Sequence, residues 1–121
     1  TGKFFPPADF LQWDPTCHHA RALDDAALTD AFLEAPGDTY PMLYYIWGHS
    51  YEFERDHTWE QMESLCRRLA GRDDIWYVTN IDYYHYLQAA RRLVYSAQGD
   101  RVYNPTGIKV WVCDNGLVRT V

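Results

Sequence analysis

The chain reads as an α/β body followed by a small antiparallel β appendage, and three observations lead there. Two apolar runs, 41–48 and 75–79, have the length and the aromatic and β-branched content of strands buried on both faces. Helix-patterned segments alternate with them over 24–35, 58–70 and 80–93. Beyond Leu93 the pattern shortens into strand-like pieces separated by turn residues. The chain therefore divides into an α/β portion, 1–93, and a β-hairpin appendage, 94–121.

The opening Thr1-Gly2-Lys3-Phe4-Phe5-Pro6-Pro7 has neither helical nor strand periodicity and reads as a connecting segment. Phe10-Leu11-Gln12-Trp13 is stopped by Asp14-Pro15, and a short extended piece, Thr16 to His19, comes next. Asp24 is the expected N-cap of the first helix, with Leu28, Phe32 and Ala35 on one face and Pro36-Gly37-Asp38 ending it. Pro41 and Gly48 bound the first buried strand.

The next helix is the best marked. Thr58 and Gln61 have the spacing of a capping box, in which each side chain satisfies the other's free backbone N–H. Trp59, Met62, Leu65, Cys66 and Leu69 repeat at helical spacing toward a core, and Gly71 closes the element. The strand Ile75–Thr79 is expected next, then a helix capped by Asn80. Ala97-Gln98-Gly99-Asp100 and Asp114-Asn115-Gly116 have the composition of hairpin turns between the short strands of the tail. Two parallel strands leave sheet edges and faces uncovered, which points to a portion of a larger domain. Thr1 in place of a methionine adds the expectation of a processed chain or a fragment.

Composition excludes several partners. The net charge of −6 over 121 residues argues against nucleic acid and anionic membranes, which require clustered cations. Arg67, Arg68 and Arg72 gather at a helix end, where they complement the helix dipole. No apolar run approaches the roughly 18–20 residues that span a bilayer, and no signal peptide opens the chain, so a cytoplasmic location is expected. Three widely spaced cysteines, Cys17, Cys66 and Cys113, form neither a disulfide framework nor a CxxC metal pair. Ten tyrosines and five tryptophans supply a core, and they also suit a wet cleft where sugar rings stack.

Two places carry residues with chemistry. In parallel α/β proteins active groups sit on the loops at the carboxyl ends of strands, and Trp47-Gly48-His49-Ser50-Tyr51-Glu52-Phe53-Glu54 begins at such a place. Imidazole exchanges protons near neutral pH, which makes His49 a candidate general acid. Glu52 or Glu54 is the expected partner holding its tautomer. The second place is Cys17-His18-His19. Alternation along an extended chain puts Cys17 and His19 on one side and His18 on the other, and two ligands are too few for zinc. His18 and His19 are therefore read as contributors to a cleft. His57 and His85 receive no role, and Asp24-Asp25 and Asp73-Asp74 are read as caps and turns.

Four segments, FLQWDPTCHH (10–19), PMLYYIWGHSYEF (41–53), GRDDIWYVTNIDYYHYL (71–87) and VYNPT (102–106), together resemble bacterial polysaccharide deacetylases of the NodB type. The likeness keeps their order and covers nearly the whole chain. It implies the C-terminal portion of a distorted (β/α) barrel in which an aspartate and two histidines hold a zinc-like divalent metal. It further implies that a metal-bound water attacks an acetamide or ester carbonyl, with an aspartate as base and a histidine as acid. That histidine stands in a Leu-x-His motif, and Trp47-Gly48-His49 matches it with tryptophan in the leucine position. The family's early aspartate motif and His-x-x-x-His pair have no counterpart here, nor does its arginine-proline motif.

The function this resemblance implies is that of part of a metal-dependent deacetylase acting on a glycan or a small amide or ester. His49 is the candidate acid, and Trp47, Tyr51, Glu52, His18 and His19 line the substrate. The metal belongs to the complete protein, and no ligand for it is expected in this chain, which alone is expected to be inactive. Two other readings stand beside it. One is a non-catalytic carbohydrate-binding module using Tyr51, Trp47 and Trp13; the other is a truncated, inactive fragment that self-associates through strand edges.

Overall fold

Residues 1–36 and 41–121 are described by the computed structural model, so the Gly37-Asp38 part of the expected helix stop lies outside the described residues. Contacts gather into two units, Thr1–Ile75 and Trp76–Val121. The last helix thus belongs with the hairpins, whereas composition divides the chain at residue 93.

The first unit contains β1 (Cys17–His18), α1 (His19–Asp24), α2 (Ala26–Leu33), β2 (Ile46–Trp47), α3 (Ser50–Arg55) and α4 (Trp59–Leu69). The helix expected over 24–35 is α2, an unexpected helix, α1, precedes it, and Asp24 is the last residue of α1 rather than a cap. Asp25 makes the break. Its backbone leaves the helical region at φ −108°, ψ 80°, its N–H closes α1 on the Arg21 carbonyl at 2.8 Å, and its carboxylate accepts the Leu28 N–H at 3.2 Å. One residue thereby ends one helix and caps the next.

β1 and β2 pair in parallel, with Cys17 opposite Ile46 and His18 opposite Trp47. Thr16 extends the attachment. Its N–H donates to the Tyr45 carbonyl at 2.8 Å, its Oγ1 accepts the Tyr45 N–H at 3.1 Å, and that hydroxyl reaches the Leu43 carbonyl at 3.2 Å. Leu43 N–H also bonds the Phe4 carbonyl at 2.9 Å, and Gly2 N–H the Thr16 carbonyl at 2.7 Å, so the opening segment is tied down alongside. The 41–48 run is half-buried to exposed, not covered on both faces as expected, and only 46–47 enter a ladder. Within it Tyr44 packs inward against Phe4 and Phe32 while its hydroxyl pairs with the buried Thr29 Oγ1 at 2.9 Å.

Cys17, Ala22, Leu28 and Leu65 form the core of this unit, with Met62 and Leu69 packed against it. The stripe α4 buries is therefore 62, 65 and 69. Trp59 and Cys66, expected on the same face, are exposed. The capping box does not form either. Thr58 sits at the N-cap with ψ 16°, outside the extended region a cap needs, and its buried Oγ1 has no hydrogen-bond partner.

The expected buried strand 75–79, all but Ile75 of it in the second unit, enters no ladder among the described residues, and Trp76 and Tyr77 are more than half exposed. A short apolar run satisfies a strand pattern whether or not a partner strand exists to cover it. Thr79, not Asn80, caps α5 (Asn80–Arg91): its Oγ1 accepts the Asp82 N–H at 3.3 Å. Tyr83, Leu87, Ala89 and Val110 are buried here. β3 (Val94–Tyr95) pairs with β4 (Val102–Tyr103), and β5 (Trp111–Asp114) with β6 (Leu117–Thr120), both antiparallel. The second hairpin turns through Asn115 and Gly116 at φ +50° and +81°, the left-handed pair that a two-residue turn of matching twist requires. A mutual Val110–Val121 backbone pair at 2.9 Å lengthens it by one step. Asn104, in VYNPT, donates to the Ile108 and Val121 carbonyls at 2.7 and 2.9 Å and so fastens the loop to the hairpin's open end.

Candidate functional site

The parallel register of β1 and β2 decides what meets at their carboxyl ends. His18 ends β1 and His19 begins α1, while Trp47 ends β2 and Gly48-His49 leads into α3. Both segments therefore open onto one side of the ladder, and the first turn of α3 supplies Tyr51, Glu52 and Phe53 to it.

Glu52 is the hub. Its Oε2 accepts the His49 backbone N–H at 3.0 Å and lies 3.1 Å from His18 Nε2 and 3.6 Å from His19 Nδ1, while Oε1 is 3.7 Å from the Arg55 guanidinium. The His49 N–H first of all holds the Glu52 carboxyl below the usual carboxylate range; desolvation opposes it, and the His18 and His19 rings add to it. His18 Nδ1 accepts the Ala20 N–H at 3.3 Å, so in the neutral ring the proton sits on Nε2 and points at Glu52.

His19 is buried, its side chain 4 % exposed, between the His18 ring at 4.1 Å and the Phe53 ring at 4.5 Å. Its Nδ1 makes no hydrogen bond. Gly48 explains how the imidazole fits, because a Cβ there would stand 1.9 Å from His19 Nδ1. His49 itself is exposed, its ring stacked on Tyr51 at 5.3 Å and 15° and edge-on to Trp47 at 5.9 Å. Trp47 in turn meets the His18 ring edge-on at 4.9 Å, and Trp47 and Tyr51 keep 47 % and 62 % of their surfaces open.

All six residues singled out from the sequence, His18, His19, Trp47, His49, Tyr51 and Glu52, thus lie in one cluster. Their pairings differ from those expected. Glu52 engages the backbone N–H of His49 and the rings of His18 and His19, and Glu54 accepts the Trp59 indole N–H at 3.1 Å, so the expected carboxylate–His49 ring pair is replaced. Strand alternation also misassigns the histidines. The strand ends at His18, the helical turn that starts at His19 brings both rings to the same side, and Cys17 enters the core. Burial pushes the Cys17 thiol up, which suits a neutral packing group beside Tyr44.

Phe53 and the steric role of Gly48 toward His19 are not legible from sequence, since both depend on a residue some 30 positions away. Trp13 packs between Phe10 at 5.7 Å and Tyr45 at 5.5 Å, its indole N–H on the Phe10 carbonyl. Each arginine of the basic cluster has an acidic neighbour: Arg67 pairs with Glu63, Arg68 with Asp30 and Arg72 with Asp74. One donor atom from each of His18, His19 and Glu52 lies within 4.8 Å of the others, a group that sequence spacing did not assign to a metal.

Compared with known proteins, the chain matches no family model, no curated protein and no solved structure. Among the described residues no helix is long and apolar enough to cross a membrane.

Proposed function

We propose that this chain forms part of a metal-dependent polysaccharide deacetylase of the NodB type, with His49 as the general acid. The observation that carries the reading is the exposed His49 imidazole, on the loop that leaves the carboxyl end of a parallel strand and flanked by two half-open aromatic rings. In such an enzyme a divalent ion activates the water that attacks the acetyl carbonyl.

The residues of this chain have the remaining work. His49, as imidazolium, gives its proton to the leaving nitrogen or oxygen as the acyl bond breaks, so that the amine or alcohol departs neutral. Trp47 and Tyr51 offer faces on which an apolar sugar face can stack, and they limit the rotation of the His49 ring. Glu52 holds the loop by accepting the His49 N–H.

The test uses the gene product that contains this chain, assayed with an N-acetylglucosamine oligomer and zinc. His49→Ala should lower kcat by about 10²-fold or more, with a smaller change in KM. Undiminished turnover in that variant overturns the acid assignment.

The exposure of Trp47 and Tyr51 favours a second reading, sugar binding without chemistry. Under it, glycan affinity falls in Trp47→Ala, and the protein shows no metal-dependent turnover.

A further inference from the structure

We infer that His18, His19 and Glu52 together form a divalent-cation site of zinc type. The inference is independent of the deacetylase reading, which places its metal on other residues.

Two observations converge on it. First, the donor geometry fits. Zinc bonds of about 2.0–2.2 Å in a tetrahedron separate neighbouring donors by roughly 3.4 Å. The distances from Glu52 Oε2, 3.1 Å to His18 Nε2 and 3.6 Å to His19 Nδ1, bracket that value, and one ligand atom from each of the three residues lies within 4.8 Å of the others. Two imidazoles and one carboxylate are also a donor set zinc uses with a position left over for water.

Second, His19 Nδ1 is a buried polar atom with no hydrogen-bond partner, on a side chain 4 % exposed. Such atoms are rare because desolvation leaves them uncompensated, and an ion between His19 and Glu52 would compensate this one. At 3.6 Å the carboxylate is too far to do so by a hydrogen bond. Gly48 lies directly against that nitrogen, since a side chain there would begin 1.9 Å from it.

The surroundings define how an ion would be held. Glu52 Oε1 faces Arg55, so ligation is through Oε2 alone. His18 must give up the proton on Nε2, move to the Nδ1–H tautomer and release the Ala20 N–H, a long bond at 3.3 Å. Binding is thereby coupled to the start of α1. The carboxylate that now orders the two rings would remain as their common partner.

The experiment is a zinc titration of the 121-residue chain by calorimetry, in a Cys66→Ser/Cys113→Ser background because both thiols are exposed. One ion should bind per chain with micromolar or tighter affinity. His19→Ala and Glu52→Gln should each weaken it at least tenfold, and His85→Ala should leave it unchanged. Because His19 is buried and its variant can lose structure, the intact chain supplies a second readout. On zinc addition the His19 Nδ1 and His18 Nε2 resonances should shift together in nitrogen-15 spectra, while those of His85 stay. Absence of stoichiometric binding, equal affinity in His18→Gln, or zinc shifts confined to other histidines would overturn the site.

Discussion

Gly48 has no side chain because the His19 imidazole occupies the space a Cβ would take, at 1.9 Å from Nδ1 and 2.8 Å from Cε1. Its φ of +156° adds strain for any other residue. Gly48→Ala should therefore cost roughly 1–3 kcal/mol, the usual cost of overpacking. His19→Ala introduced beside it should recover part of that loss, because the clash disappears with the ring. Chemical denaturation of the two single variants and the double variant checks this, and additive losses would disprove the contact's role.

A second residue-scale expectation concerns Tyr83, whose phenol burial pushes up to about 12 against a slight opposing pull from Arg91. The unfolded phenol titrates near 10, so the folded state binds the proton more tightly. The stability this contributes is complete below about pH 10 and is lost as pH rises through about 12. Tyr83→Phe should remove that share. The stability difference between wild type and variant should be flat below about pH 10 and shrink above it, as measured by urea denaturation across the range.

At the scale of elements, local chemistry is decisive where it is self-contained and fails where a partner decides. The hairpins belong to the first kind: Asn115-Gly116 takes the two left-handed conformations its composition favours, and β5 and β6 pair directly across it. The helices at 59–69 and 80–91 keep close to their expected extents, yet their caps do not follow expectation. Thr79 takes the cap expected of Asn80, and Thr58 holds a cap position without making the bond. A working Thr cap is worth about 1 kcal/mol. Thr58→Ala should cost less, within about 0.5 kcal/mol, because the hydroxyl it removes is already buried and unpaired. A thermal melt showing a full cap's loss would contradict this. The break at Asp25 is legible only in part, since Asp24 and Asp25 are equally good caps by composition and packing selects the second.

For the molecule as a whole, the second unit leaves Tyr95, Tyr103, Trp111, Leu117 and Val118 exposed on ladders of two strands, and Trp76 and Tyr77 exposed ahead of α5. Such ladders have two outer edges each, and exposed aromatic and aliphatic side chains favour covering them. The chain should self-associate: its sedimentation coefficient should rise with concentration, and Trp111→Lys with Val118→Lys should lower that rise. A constant monomer value across a hundredfold dilution series at about 0.1 M salt, where the Debye length is about 10 Å, would speak against it.

Pattern and composition alone determined the acidic, aromatic-rich character of the chain, the extents of its two longer helices, its hairpin turns and the two segments where chemistry gathers. Those properties are set within a few residues of chain, by periodicity and turn conformation. Only tertiary structure decided that His18, His19 and Glu52 form one group, that His49 meets Tyr51 and Trp47 instead of a carboxylate, and that the 75–79 run stays uncovered. The first two outcomes turn on the parallel pairing of residues 17–18 with 46–47 and on a strand that becomes a helix between His18 and His19. Alternation along an isolated segment carries no record of either.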